Sequence, residues 1–400
     1  MSIELSKGRK TLLLISVFLT SIAVMGEMGV MPLVYDIYGA YDNMMAVNFI
    51  VSGSALFVVL GSLLSTFLMG RYEKKWLLVV FSAIFCVSAI FCTAVDNLYF
   101  ICMMRALMGF GEGSVNAVIM AYIAQLFLDE NKRASFMGYY NASMTLFAIV
   151  MSYVSGVLAS SGWKNAFNLY WPSVLMIVGL VLFAPSLGQM EEGEYADANS
   201  SSGKKEPLGK MYWIFIVAYI LFTWMYCMGN YYLSSYVVEN GMGDTHFAGI
   251  LISLTQVGGF VCSMLFGSIY AKLKKNTTVL CIVAMIIALA LFYFVPVKPV
   301  AVVASLMLGG FYGMFFSYSY AYVSEIVPVS RINDAIGYTT ALYGAGFFVF
   351  TYLTGFLVSV FSPEGTYTPI FLVWAIIGIV PLVLELGTNK AYKKLLEEKQ

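Results

Sequence analysis

Three ionisable residues stand inside long apolar stretches of this chain: Glu27, Arg105 and Glu112. A charge without water is costly, so an acid or base kept in such surroundings is paired, faces a polar cavity, or carries protons. Glu27 lies in the segment MGEMGVMP (25–32), where Gly26, Gly29 and Pro32 permit close helix approach or local unwinding beside the carboxyl. Arg105 and Glu112 are seven residues apart on one apolar run. They share a helix face, with Glu112 about 10 Å further along. Burial favours the neutral form of an acid and a nearby arginine favours the charged form, so acids around one arginine can take up and release a proton. The same residues would also serve as a fixed bridge between helices.

A second set is neutral. Tyr219, Phe222, Tyr226 and Asn230 fall at i, i+3, i+7 and i+11, and Tyr312, Phe315, Phe316 and Ser319 have similar spacing. Such stripes serve as packing or as the wall of a ligand cavity. Buried tyrosine and asparagine need hydrogen-bond partners, which a cavity supplies. Tyr219, Tyr226, Asn230, Tyr312 and Phe316 are therefore candidate cavity residues. Enzyme chemistry has little to work with. His246 is the one histidine, no GxxxxGK phosphate loop occurs, and the six cysteines sit inside apolar runs as small hydrophobes. No cofactor or metal is expected. Equal numbers of basic and acidic residues, 22 of each, leave no basic face for nucleic acid.

The elements that position these residues follow from composition. Hydrophobic residues make up 60% of the 400 and charged residues 11%, against roughly half and about a quarter in soluble domains. That predicts an all-α membrane protein whose surroundings are the lipid bilayer. Runs long enough to cross a bilayer core lie at 11–35, 45–69, 76–95, 98–127, 134–160 and 166–187, then at 211–237, 247–271, 277–297, 299–326, 332–360 and 367–387. They are numbered spans 1 to 12. The basic start of the chain is not followed by a cleavage site, so span 1 is read as a retained helix. Nineteen basic residues fall at the termini or on alternate connections, Lys164 and Lys298 fall on the opposite ones, and Arg105 is inside a span. The positive-inside rule then places both termini in the cytoplasm. Asp36 and Glu385, near span ends, read as interfacial.

Residues 188–210 form a polar, Ser/Gly-rich linker between an N-terminal bundle (1–187) and a C-terminal bundle (211–400). The halves repeat each other. AYIAQLF (121–127) lies over AYVSEIV (321–327), YVSGVLAS (153–160) over YLTGFLVS (352–359), and Gly109 and Gly113 over Gly309 and Gly313. With six spans between equivalents, both copies have the same orientation, giving two parallel six-helix repeats.

At this point the chain resembles the major facilitator superfamily, in its drug/proton-antiporter-like branch, over nearly all its length. TFLMGRYEKKWLL (66–78) looks like the family's loop after span 2, with Leu68, Arg71, Lys74 and Lys75 in place. GSIYAKLKK (267–275) is its counterpart, with Gly267, Lys272 and Lys275. Thr66, Gly70, Glu73 and Ala271 depart from that pattern, the last standing at an acidic position. MMRALMGFGEG (103–113) is similar to the span 4 segment, whereas Met151-Ser152 stands where antiporters carry Gly-Pro. The resemblance implies a secondary active transporter working by alternating access around a central site, with protons and a small molecule as partners and the protein acting as a monomer in the plasma or inner membrane. Spans 1 and 4 become neighbours, so Glu27 and Arg105, each roughly 10–12 Å below the outer boundary, can pair. Glu27, Arg105 and Glu112 are then the proton-coupling candidates. Arg71, Lys74, Lys75, Lys272, Glu325 and Arg331 are gating-loop candidates. Two acids and an aromatic wall point to efflux of a lipophilic or cationic compound. The alternative is uptake or exchange of a small metabolite or organic acid, with Arg105 binding a carboxylate. A non-transporting receptor on the same fold is a third reading.

Overall fold

The computed structural model describes residues 7–41, 43–126, 130–186, 207–327, 332–362 and 364–388. Among these, all regular structure is helical. The chain divides into two compact units, Met1–Glu194 and Tyr195–Gln400. Most of the linker expected at 188–210 lies outside the described residues, and Lys210 already belongs to a helix.

In the first unit, span 1 is broken. Helices Lys7–Leu19 and Ser21–Val24 give way to tight 3₁₀ turns at Gly26–Gly29 and Met31–Leu33 before a last helix, Val34–Ala40. The two halves are bent by 59°. The cause is local: Pro32 has no N–H to continue the ladder, and two glycines lower the cost of leaving it. Spans 2, 3, 4 and 5 are Met44–Met69, Lys74–Ile90, Leu98–Leu126 and Glu130–Ala159. Span 6 combines a 3₁₀ turn, Trp163–Tyr170, with the helix Ser173–Phe183. Asn43 caps span 2 by accepting from the Ala46 N–H, and Asn97 caps span 4 by accepting from the Tyr99 and Phe100 N–H groups.

The second unit holds span 7 (Lys210–Tyr231, continued by Leu233–Glu239), span 8 (Thr245–Leu273), span 9 (Asn276–Phe294), span 10 (Lys298–Ile326) and span 11 (Ile332–Phe361). Span 12 begins as Thr368–Ile377. Its first backbone N–H groups are taken by Glu239, which accepts from Tyr367 and Thr368 at 2.8 and 2.9 Å.

Ten helices among the described residues are long and apolar enough to cross a membrane, and the bent pair of span 1 makes eleven. Span 3 is the remaining one. Its 17 residues reach about 26 Å, a little short of a core of roughly 30 Å. Large apolar side chains such as Leu63, Phe67 and Met264 are exposed on the helix exteriors, as a lipid solvent allows.

The internal repeat is visible in the packing of each unit. In the first, Gly109 and Gly113 of span 4 press on the backbone of Ser54 and Val58 in span 2, leaving no room for a Cβ. In the second, Gly309 and Gly313 of span 10 press in the same way on Thr255 and Gly259 of span 8. Small residues let two backbones approach where no water is available to drive helix association.

Candidate functional site

Arg105 is fully buried and gathers three spans around it. Its Nη2 donates to both Glu27 oxygens, at 2.8 and 2.7 Å, and to Ser54 Oγ at 3.0 Å. Its Nε donates to the Ile50 carbonyl at 2.8 Å, and its Nη1 lies 3.3 Å from Met108 Sδ. Ser54 donates in turn to Glu27 Oε2 at 2.9 Å. The arginine is therefore largely saturated by the protein, and a substrate carboxylate would have to displace Glu27 to use it. This weighs against Arg105 as an open anion site.

The break in span 1 is what aims Glu27 at this point. Carbonyls released from the helical ladder are taken up by side chains of the same unit: Tyr170 donates to the Gly26 carbonyl at 2.6 Å, and Ser155 donates to that of Gly29. Unwound backbone inside a membrane needs such partners. Gly26 is required by a close approach, since a Cβ there would run into the Phe85 ring.

Glu112 lies nearby but outside the pair. The charges of Glu27 and Arg105 reach it and the Glu27 N–H faces it. Its Oε2 is nevertheless buried without a hydrogen-bond partner, although the residue as a whole is partly exposed. A buried polar atom without a partner costs stability, and a site of function is where such a cost persists.

In the second unit the two aromatic stripes face each other. Phe222 stacks on Phe315 at 4.0 Å between centroids, and Tyr226 stacks on Tyr312 at 3.6 Å with planes 5° apart. Tyr219 is stacked on Phe315 and Phe316 leans on Tyr312. Gln256 of span 8, which the periodicity did not single out, donates to Tyr226 Oη at 3.4 Å. Asn230 is 2% exposed, and its amide lies against the Tyr226 hydroxyl.

The loop candidates separate. Arg71 lies over the Phe67 ring and Lys75 over Trp76, while Lys272 is exposed. Lys74 is not in the open: it is 2% exposed and donates to Gln125 Oε1 at 3.0 Å, a tie inside the first unit. Arg331 and the side chain of Glu325 lie outside the described residues. The interfacial reading of Glu385 is corrected. It is buried at the end of span 12, in the field of Lys275, whose Nζ donates to Thr388 Oγ1 at 2.6 Å. Burial pulls the Lys275 ammonium down to about 8, partly offset by Glu385. On the opposite connections Lys164 and Asp96 form an exposed ion pair at 2.7 Å. Hydrogen bonds from Lys164 and Tyr41 hold Asp96 below the usual carboxylate range.

Ser54, Ser155 and Tyr170 were not legible beforehand, because hydroxyl residues are common in apolar spans and their partners here are remote in sequence. All six cysteines are free.

A helical bundle with an apolar exterior, a broken first span and a buried arginine–carboxylate pair has the architecture of a polytopic membrane transporter. Residues 13–317 and 244–399 match the family model of the Major Facilitator Superfamily, and the chain belongs to that superfamily. It is accordingly a multi-pass secondary transporter of that superfamily. The chain is 24% identical over 389 residues to the uncharacterized MFS-type transporter YwfA of Bacillus subtilis, covering 92% of this chain and 90% of that one. It is 22% identical over 243 residues to the sialic acid transporter NanX of Escherichia coli, a match spanning 60% of this chain and 59% of that transporter. In fold it resembles a bacterial homolog of the human lysosomal transporter Spinster, with a TM-score of 0.78 at 13% identity over 98% of this chain and 99% of that one.

Proposed function

We propose that this protein is a proton-coupled carrier of a small polar metabolite, with Glu27 and Glu112 as the proton-exchanging acids and Arg105 as the group that sets their balance. The observation that carries this reading is the placement of Glu112, a carboxyl with a buried, unpartnered oxygen, in the field of a saturated Glu27–Arg105 pair. When Glu27 accepts a proton, Arg105 loses its counter-charge and Glu112 becomes its nearest alternative. A change of partner of this kind couples protonation to a change of helix arrangement. The polar-metabolite reading is supported by NanX, a sialic acid transporter, and by the neutral tyrosine and amide groups of the second unit. In this reading the chain acts as a monomer of two six-helix repeats, 1–187 and 211–400, in a cell membrane. Both its termini are cytoplasmic, on the side marked by the lysine- and arginine-rich connections.

A second reading, efflux of a lipophilic cation, is favoured by the lone Glu112 carboxyl and the stacked aromatic rings. Reconstituted vesicles with an internal pH dye distinguish the two. Adding uridine or D-xylose should move protons inward in the first reading, and tetraphenylphosphonium should move them in the opposite sense in the second. Proton movement undiminished in both Glu27→Gln and Glu112→Gln would remove these acids from the mechanism.

A further inference from the structure

Serines inside helical spans commonly return their hydroxyl hydrogen to the carbonyl four residues back. Ser16 gives it to Leu12, Ser88 to Ile84 and Ser317 to Gly313, at 2.7, 2.7 and 3.0 Å. Ser54 of span 2 breaks this habit. The carbonyl four residues back is that of Ile50, which accepts from Arg105 Nε at 2.8 Å besides its place in the helical ladder. The Ser54 hydroxyl is turned instead to Glu27 Oε2, at 2.9 Å, and accepts from Arg105 Nη2 at 3.0 Å. With the 2.7 Å contact between Nη2 and Oε2, the three groups close a triangle of hydrogen bonds. The serine is also fixed in place. A Cβ on Gly109, one turn beyond Arg105, would lie 2.2 Å from the Ser54 carbonyl oxygen, so spans 2 and 4 meet backbone to backbone at this residue. The triangle makes the two oxygens of Glu27 unequal. Among the described residues, Oε2 accepts from both Arg105 and Ser54, whereas the hydrogen bond at Oε1 is the one from Arg105, at 2.8 Å.

Resting on the reading of Glu27 as a proton-exchanging acid, we infer that Ser54 is the positioning residue of this carboxyl: its hydroxyl holds Oε2 as an acceptor and directs an incoming proton to Oε1. A proton settles on the oxygen whose lone pairs are less used. At Oε2 it would have to expel a donor from a buried, charge-assisted bond. Once Oε1 is protonated, Oε2 is the carbonyl oxygen of a neutral acid, and the Ser54 and Arg105 donors still suit it. No covalent bond of the serine changes. The proton adds to Oε1, and of the contacts around it only the one between Nη2 and Oε1 is weakened. Glu27 can therefore gain and lose a proton without stranding a buried donor, and the proton always leaves from the same atom.

Infrared difference spectra of the full-length protein in lipid, taken between acidic and neutral buffer, test this without a transported solute. Glu27→Gln identifies the C=O band of the protonated Glu27 carboxyl. In Ser54→Ala that carbonyl loses one of its two donors, so the band should move to higher frequency and broaden as both oxygens become eligible for the proton. Ser54→Thr keeps a hydroxyl and should return the band to its wild-type position. Ser54→Cys, a weaker donor, should fall between and serves in its place should the threonine variant fold poorly. Ser88→Ala, which removes a serine that follows the usual habit, is the control and should leave the band where it is. A band unmoved in Ser54→Ala overturns the assignment, even if that variant melts at a lower temperature. So does a band moved alike in all three Ser54 variants. A wild-type protein with no Glu27 band in acid overturns the proton-exchanging reading itself, an outcome distinct from a band that is present and indifferent to Ser54.

Discussion

Arg105 holds both oxygens of the Glu27 carboxylate through a single nitrogen, Nη2, and spends its Nε on a span 2 carbonyl. The guanidinium is thus turned away from the two-pronged geometry in which it grips a carboxylate most firmly. The pair is anchored to span 2 and is only half of what Arg105 could offer an acid. That arrangement leaves the carboxylate exchangeable without dislodging the arginine.

Removing the arginine should therefore cost stability first. Arg105→Ala leaves Glu27 and the Ile50 carbonyl without their buried partner and is expected to lose about 3 kcal/mol. Arg105→Lys, which keeps the charge and loses the planar fork, should fall between. Melting curves of the purified proteins check this, and an Arg105→Ala protein as stable as the wild type would contradict it.

Glu112 should behave in the opposite way. Glu112→Met removes an oxygen that has no partner, so the variant is expected to gain about 1 kcal/mol. It should lose proton-linked transport in vesicles at the same time. A variant that is both less stable and fully active would mean the carboxyl has a structural partner.

At the span 8–9 turn, the pH dependence of stability should reveal Lys275. Its folded value of about 8 lies below that of a free lysine, about 10.4. Between those limits the unfolded chain binds more protons, so this residue makes stability rise from pH 8 to pH 10. Lys275→Met should remove that share of the rise. Identical slopes of melting temperature against pH in the two proteins would count against a buried Lys275.

The glycine seams predict matched injuries. Gly109→Val and Gly309→Val each force a side chain against the backbone of a neighbouring helix, at Ser54 and at Thr255. Each should cost at least about 1–3 kcal/mol. Gly39→Val, where nothing lies within 4 Å of an added Cβ, is the control and should melt like the wild type apart from a small helix-propensity difference.

How much of this was legible beforehand depended on whether a signal was periodic or spatial. Apolar runs, basic connections and the offset of 200 between Gly109 and Gly309 are written along the chain, and so the spans and their repetition could be read directly. Glu27 and Arg105 were legible as a pair because charges within spans are few enough to be compared by depth. Ser54, Tyr170 and Gln256 were not, since each matters through a partner at least 27 residues away. Glu385 was misread because nearness to a span end says nothing about what covers the side chain. The 59° bend could be located at Gly26, Gly29 and Pro32, but its size could not be read from those residue types alone.

The tethered carbonyls of Gly26 and Gly29 carry one more consequence. Rewinding the first span into regular helix would call those carbonyls back to their own ladder and leave the Tyr170 and Ser155 hydroxyls stranded among apolar neighbours. Straightening is thus opposed by residues that belong to spans 5 and 6 and not to the helix that bends. The stiffness of the first span is a property written elsewhere in the chain, and substitutions at Tyr170 or Ser155 would retune how readily Glu27 changes its depth without touching a charge.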